Sequence, residues 1–131
     1  MKNNVLQWIP RILAILAILF VMLFSLDVFG GNEPVYMQLV GFLIHNIPAF
    51  VLMVSLAIAW KREYLGGLIF IGLGTALSIF VFILNYNRNH SVLISLGIIL
   101  MIAFPFVVAG ILFIISHNLT KKRLQKIQSD N

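Results

Sequence analysis

Cysteine is absent from the 131 residues. That excludes disulfide frameworks, thiolate metal sites and thiol-based redox chemistry. Charge is nearly as scarce: charged residues make up 10% of the chain, and the acids are Asp27, Glu33, Glu63 and Asp130 alone. Soluble domains are about a quarter charged and about half apolar. This chain is 61% hydrophobic, with a mean hydropathy of +1.05. So oily a chain could not cover its own surface in water, which makes lipid its solvent. Period-two alternation is also missing, which argues against a membrane β-barrel. Helices remain, because every backbone group in hydrocarbon needs an internal partner.

Four apolar runs are present, each near the roughly 20 residues that a membrane span requires. They predict an all-α, integral membrane four-helix bundle in a single domain, with helices at about 10–29, 35–60, 64–84 and 91–116 and a basic tail over 117–131. Pro10 suits the first turn of helix one, where a missing N–H costs nothing. The run that follows is longer than a signal-peptide core and offers no small-x-small cleavage site, so a retained helix is expected. Gly30 to Pro34, Lys61-Arg62-Glu63 and Asn85 to His90 read as connections.

Orientation follows from the basic residues. Lys2, Arg11, Lys61, Arg62, Lys121, Lys122, Arg123 and Lys126 fall on one side of this topology, and Arg88 falls on the other. The chain is therefore expected in the cell (cytoplasmic) membrane, up-down-up-down, with both termini cytoplasmic. Trp8, Trp60 and Tyr64 mark the inner interface, while Tyr36 and Tyr86 mark the outer one. The net charge of +5 then belongs to the membrane surface and not to nucleic acid. The cluster Lys121, Lys122, Arg123 and Lys126 either holds anionic lipid or simply fixes topology.

Polar residues inside a span are costly, so each one carries information. Counting 1.5 Å per residue, Asp27 lies about 24 Å above Arg11 and His45 about 22 Å above Trp60. The two therefore share a height on consecutive helices. As a pair they would either bind a proton, cation or headgroup, or clamp two helices together. Arg11 and Glu63 form a second candidate pair at the inner boundary; the alternative is an anchoring arginine and an acid favoured by a helix N-terminus. Pro48 and Pro105 are expected to kink their helices. Gly66, Gly67, Gly72 and Gly74 are expected to let helices approach closely, within the monomer or across a homodimer seam.

No catalytic motif is present. Ser25, Ser55, Ser78, Ser95 and Ser116 lack a His–Asp partner nearby in sequence, and no phosphate loop or nucleophile elbow appears. His45, His90 and His117 lie at different depths, so neither haem nor a metal is expected, and no cofactor is assigned. Asn89-His90-Ser91 matches the glycosylation acceptor pattern, which has meaning only in a secretory pathway. These features point to a structural, accessory or regulatory component of a membrane complex, partnered by a larger membrane protein or by a second copy of the chain. The alternative is a small oligomeric transporter or channel built on Asp27 and His45. The lack of an acid near the midplane counts against proton-coupled export.

Three segments carry a family likeness. RILAILAILFVMLFSLDVFG (Arg11 to Gly30) and HNIPAFVLMVSLAIAWKREYLGG (His45 to Gly67) resemble a domain-of-unknown-function family of small bacterial and archaeal membrane proteins. Pro105 and VAGILFI (Val108 to Ile114) fit it more loosely. The resemblance covers most of the chain and implies a compact four-helix membrane protein with no established activity. It marks Arg11, Asp27, His45, Pro48, Trp60, Glu63, Gly66 and Gly67 as signature positions and assigns them no role.

Overall fold

The computed structural model describes residues 4–130; Lys2, counted above among the cations, lies outside them. The chain is all-α. Its elements are α1 (Asn4–Phe24), a 3-10 segment (Ser25–Gly30), α2 (Val35–His45), α3 (Ile47–Lys61), α4 (Glu63–Asn89), α5 (Val92–Ile102) and α6 (Phe104–Ser129). Among the described residues, three stretches are long and apolar enough to cross a membrane: Val5–Gly30, α4 and α6. The α2–α3 pair makes a further candidate, bent by 43° at its break.

The boundaries differ from the sequence expectation in ways with local causes. Helix one starts at Asn4, so Pro10 sits inside it rather than at its first turn. Proline there deprives Leu6 of one hydrogen bond, and the cost is offset by complete burial of the ring. Helix one also stops at Phe24 rather than at residue 29. There the Ser25 hydroxyl donates to the Met22 carbonyl at 2.6 Å, a local bond that competes with the i−4 ladder, and the last turn tightens to 3-10 geometry.

The expected second helix is broken at Asn46, two residues before Pro48. The fourth is broken at Ala103, two residues before Pro105. In each case the proline N–H is missing and its ring crowds the preceding turn. The asparagine-rich stretch from Asn85 is not a loop: α4 continues through it to Asn89. Asn85 donates to the Val81 carbonyl at 2.9 Å, and Phe82 stacks on Tyr86. His90 closes the helix in the left-handed region (φ 49°), with its N–H on the Tyr86 carbonyl. Ser91 caps α5 and does not begin it, its hydroxyl accepting from the Ile94 N–H. The basic tail is likewise helical, α6 running on to Ser129.

α4 packs against α3 on one side and against α5 and α6 on the other, while α1 packs against α6 and α3. The α4–α6 seam holds the largest buried side chains. Phe70 stacks between Phe106 and Phe113 at centroid distances of 6.4 and 5.8 Å, and all three are fully buried. Backbone contact allows this. A Cβ on Gly67 would lie 2.7 Å from the Gly110 carbonyl oxygen, and one on Gly110 would meet the Gly67 carbonyl at the same distance. Gly74 approaches Val107 in the same seam. On the other side of α4, a Cβ on Gly66 would fall onto the Cα and Cβ of Ala59 in α3. Gly72 differs from these: it is exposed, with open space around it.

Candidate functional site

The polar groups gather at the end of the molecule where α3 turns into α4. The turn is a single residue, Arg62, whose extended backbone (φ −136°, ψ 83°) reverses the chain between Lys61 and Glu63. Glu63 therefore occupies the first position of α4, where the helix dipole favours a carboxylate. Arg11 reaches it from α1, with Nη2 3.4 Å from Oε1, and both side chains are almost enclosed (13% and 12% exposed). The second carboxylate oxygen accepts from the buried Ser116 hydroxyl of α6 at 3.3 Å.

The guanidinium is also sandwiched. Its Cζ lies 4.8 Å from the centroid of Trp60 and 5.8 Å from that of Trp8, and the two indoles meet edge to face at 5.7 Å. Arg11 thus links α1, α3, α4 and α6 through one salt bridge, one relayed hydrogen bond and two cation–π contacts, each worth of order 0.5–2 kcal/mol. Its Nε is buried without a hydrogen-bond partner. Beside the cluster opens a recess of about 630 Å³ whose walls include Arg11, Lys61, Arg62, Glu63, Tyr64 and His117. The Tyr64 and His117 rings lie 5.7 Å apart.

Asp27 and His45 are both exposed, and no hydrogen bond or ion pair joins them among the described residues. Their neighbours make the contact instead. Asn46 (1% exposed) donates from Nδ2 to the Ser25 hydroxyl (2% exposed) at 2.7 Å and to the Phe42 carbonyl at 3.0 Å. Its Oδ1 is buried without a partner. The buried polar contact between these segments is made by Ser25 and Asn46, two and one positions from Asp27 and His45. A helix turns about 100° per residue, so a shift of one or two positions moves a side chain from the lipid face to the interior. The adjacent Pro48 was the available signal, since a break before it exposes carbonyls that an asparagine amide can satisfy.

Pro48 and Pro105 lie just beyond their helix breaks. Lys121, Lys122, Arg123 and Lys126 occupy the exposed last turns of α6. No three His, Asp or Glu side chains cluster as metal ligands would among the described residues. Chemically, the cluster at the α3–α4 turn is an electrostatic clamp with a cation-rich mouth: its carboxylate is engaged on both oxygens.

Neither the curated proteins nor the solved structures give a significant match to the chain. A family match covers residues 1–126, nearly the entire chain, and includes both the Arg11–Glu63 clamp and the Ser25–Asn46 contact. The chain belongs to the family described as domain of unknown function DUF7670.

Proposed function

We propose that the chain is a four-span protein of the cytoplasmic membrane that serves as a non-catalytic accessory component of a larger membrane assembly. The spans are α1, the bent α2–α3 pair, α4, and α5 joined to the first half of α6. Residues 92–116 extend for about 37 Å at 1.5 Å per residue, enough for a hydrocarbon core of about 30 Å. The remainder of α6, with its basic residues, then projects beyond the bilayer. Both termini are cytoplasmic in this reading, supported by Arg11, Lys61, Arg62, Lys121, Lys122 and Lys126 on one side against Arg88 on the other.

The observation that carries the accessory role is an interior filled by apolar side chains. Phe70, Phe106 and Phe113 fill the space between α4 and α6, and Ala14, Ala17, Ala49 and Leu52 close it from α1 and α3. The buried hydroxyls of Ser55 and Ser95 are spent on the Val51 and Ser91 carbonyls four residues earlier. A transport route needs polar groups in series across the membrane, and such groups here sit at separate ends. The test is affinity purification of the tagged protein from native membranes in mild detergent, followed by mass spectrometry. A stoichiometric larger partner is the expected result. A partner-free homo-oligomer that conducts ions in liposomes, with conduction lost in Asp27→Asn or His45→Gln, overturns the reading in favour of transport.

A further inference from the structure

We infer that the seam between α3 and α4 binds one anionic phospholipid, with its phosphate in the inner-end recess and an acyl chain along α4. The recess sets the charge requirement. Arg11, Lys61 and Arg62 line it against a single acid, Glu63, and that acid is already held by Arg11 and Ser116. Lys61 and Arg62 are exposed and make no ion pair among the described residues. The first residues of α4, Glu63 to Leu65, form part of the same wall. No side chain caps that helix end, so its free N–H groups add positive potential. Excess cations together with unmatched donors call for an anion, and a recess of this volume accommodates a headgroup.

What lies above the recess decides which anion. Leu65 stands at its wall; one turn along the same face of α4 is Ile69, then Leu73, then Leu77. Ile69 and Leu73 line a groove of about 390 Å³ against Val51 and Val54 of α3. Leu73 and Leu77 line another of about 270 Å³ that extends to Phe80 and shares Val51 with the first. The stripe from Leu65 to Phe80 is about 22 Å long at the helical rise, longer than one leaflet of about 15 Å. The one hydroxyl in its walls, Ser55, is already bonded to the Val51 carbonyl. A soluble anion would engage the recess alone and leave the groove to exchanging bulk lipid chains. A phospholipid fills both, with charge and hydrocarbon on one molecule.

The test is native mass spectrometry of the purified full chain in non-ionic detergent, titrated with dioleoyl phosphatidylglycerol, dioleoyl phosphatidylcholine or inorganic phosphate. Phosphatidylglycerol is expected to bind at least tenfold more tightly than phosphatidylcholine. The double variant Lys61→Gln/Arg62→Gln, at exposed positions that leave the Arg11 clamp intact, is expected to erase that preference. Ala76→Trp, which fills the groove from an exposed position on α4, is expected to weaken both lipids about equally. Equal binding of the two lipids by the parent chain, or an unchanged preference in the double variant, overturns the inference. So does displacement of phosphatidylglycerol by an equal concentration of inorganic phosphate, which would assign the recess to a soluble anion. The isolated chain is measured throughout, so the result does not depend on any protein partner.

Discussion

The two sides of α4 are built differently. Towards α6, glycine meets glycine at residues 67 and 110, Gly74 meets Val107, and three phenylalanines interlock between them. Towards α3, the backbones touch near the turn, at Gly66 and Ala59, and grooves lie further along. Helices in lipid gain little from excluding hydrocarbon, so their association rests on close packing and hydrogen bonds. The α6 side satisfies that condition along most of its length. The α3 side satisfies it at one end and leaves the rest to whatever fills the groove. A single helix therefore carries a structural face and a receptive face, distinguished by where its small residues fall.

Truncation on the two sides would break that comparison most sharply. Phe113→Ala is expected to cost about 3–5 kcal/mol, the usual range for removing a fully buried ring. Leu73→Ala, at the groove, is expected to cost no more than about 2 kcal/mol, because its neighbours already stand apart. Unfolding in mixed micelles, followed by loss of helical circular dichroism, measures both. Equal costs would mean that the two seams are equally packed.

Adding an atom probes the same contrast from the other side. Gly67→Ala would place its Cβ against the Gly110 carbonyl and is expected to destabilise the protein by about 1–3 kcal/mol. Gly72→Ala, two residues before Gly74 but in open space, is expected to be neutral or to stabilise by up to about 1 kcal/mol through helix propensity. The same unfolding assay reads both. A similar loss at the Arg11–Glu63 clamp would follow Arg11→Gln, which leaves Glu63 with Ser116 as its hydrogen-bond partner among the described residues. A cost of about 1–3 kcal/mol is expected, partly recovered when Glu63→Gln is added.

Much of this organisation was legible in the sequence. Hydropathy alone located the apolar segments, but not the breaks at Asn46 and Ala103 inside two of them. Arg11 and Glu63 could be matched because both fall at the end of an apolar run, beside Trp and charged residues. The glycines of α4 declared a packing role, yet spacing could not separate Gly67 and Gly74, which touch α6, from Gly72, which touches nothing. Helix ends were the weak point. Asparagine and lysine look like loop residues in a membrane chain, but past the lipid they are compatible with helix, and α4 and α6 both run on through them. The Ser25–Asn46 contact was hidden for a related reason: height along a helix can be counted from sequence, but facing depends on a break at Asn46 that Pro48 only suggested.

That break supplies the smallest of the expected effects and the most direct link back to the open seam. Pro48 lines the groove beside α4, and the 43° bend immediately before it sets how α3 leaves α2. Two agents can hold the bend: the proline itself, or the hydrogen bond from Asn46 to Ser25. A double-mutant cycle with Ser25→Ala and Asn46→Ala separates them. Interhelical hydrogen bonds in membranes average about 0.6 kcal/mol, and a coupling of that size is expected here. Its modesty has a structural reason, since Asn46 retains the Phe42 carbonyl as an alternative acceptor. A coupling near zero would leave the bend to Pro48 alone. Pro48→Ala should then straighten α2 into α3 and narrow the groove, whereas with the hydrogen bond intact the bend should survive loss of the ring.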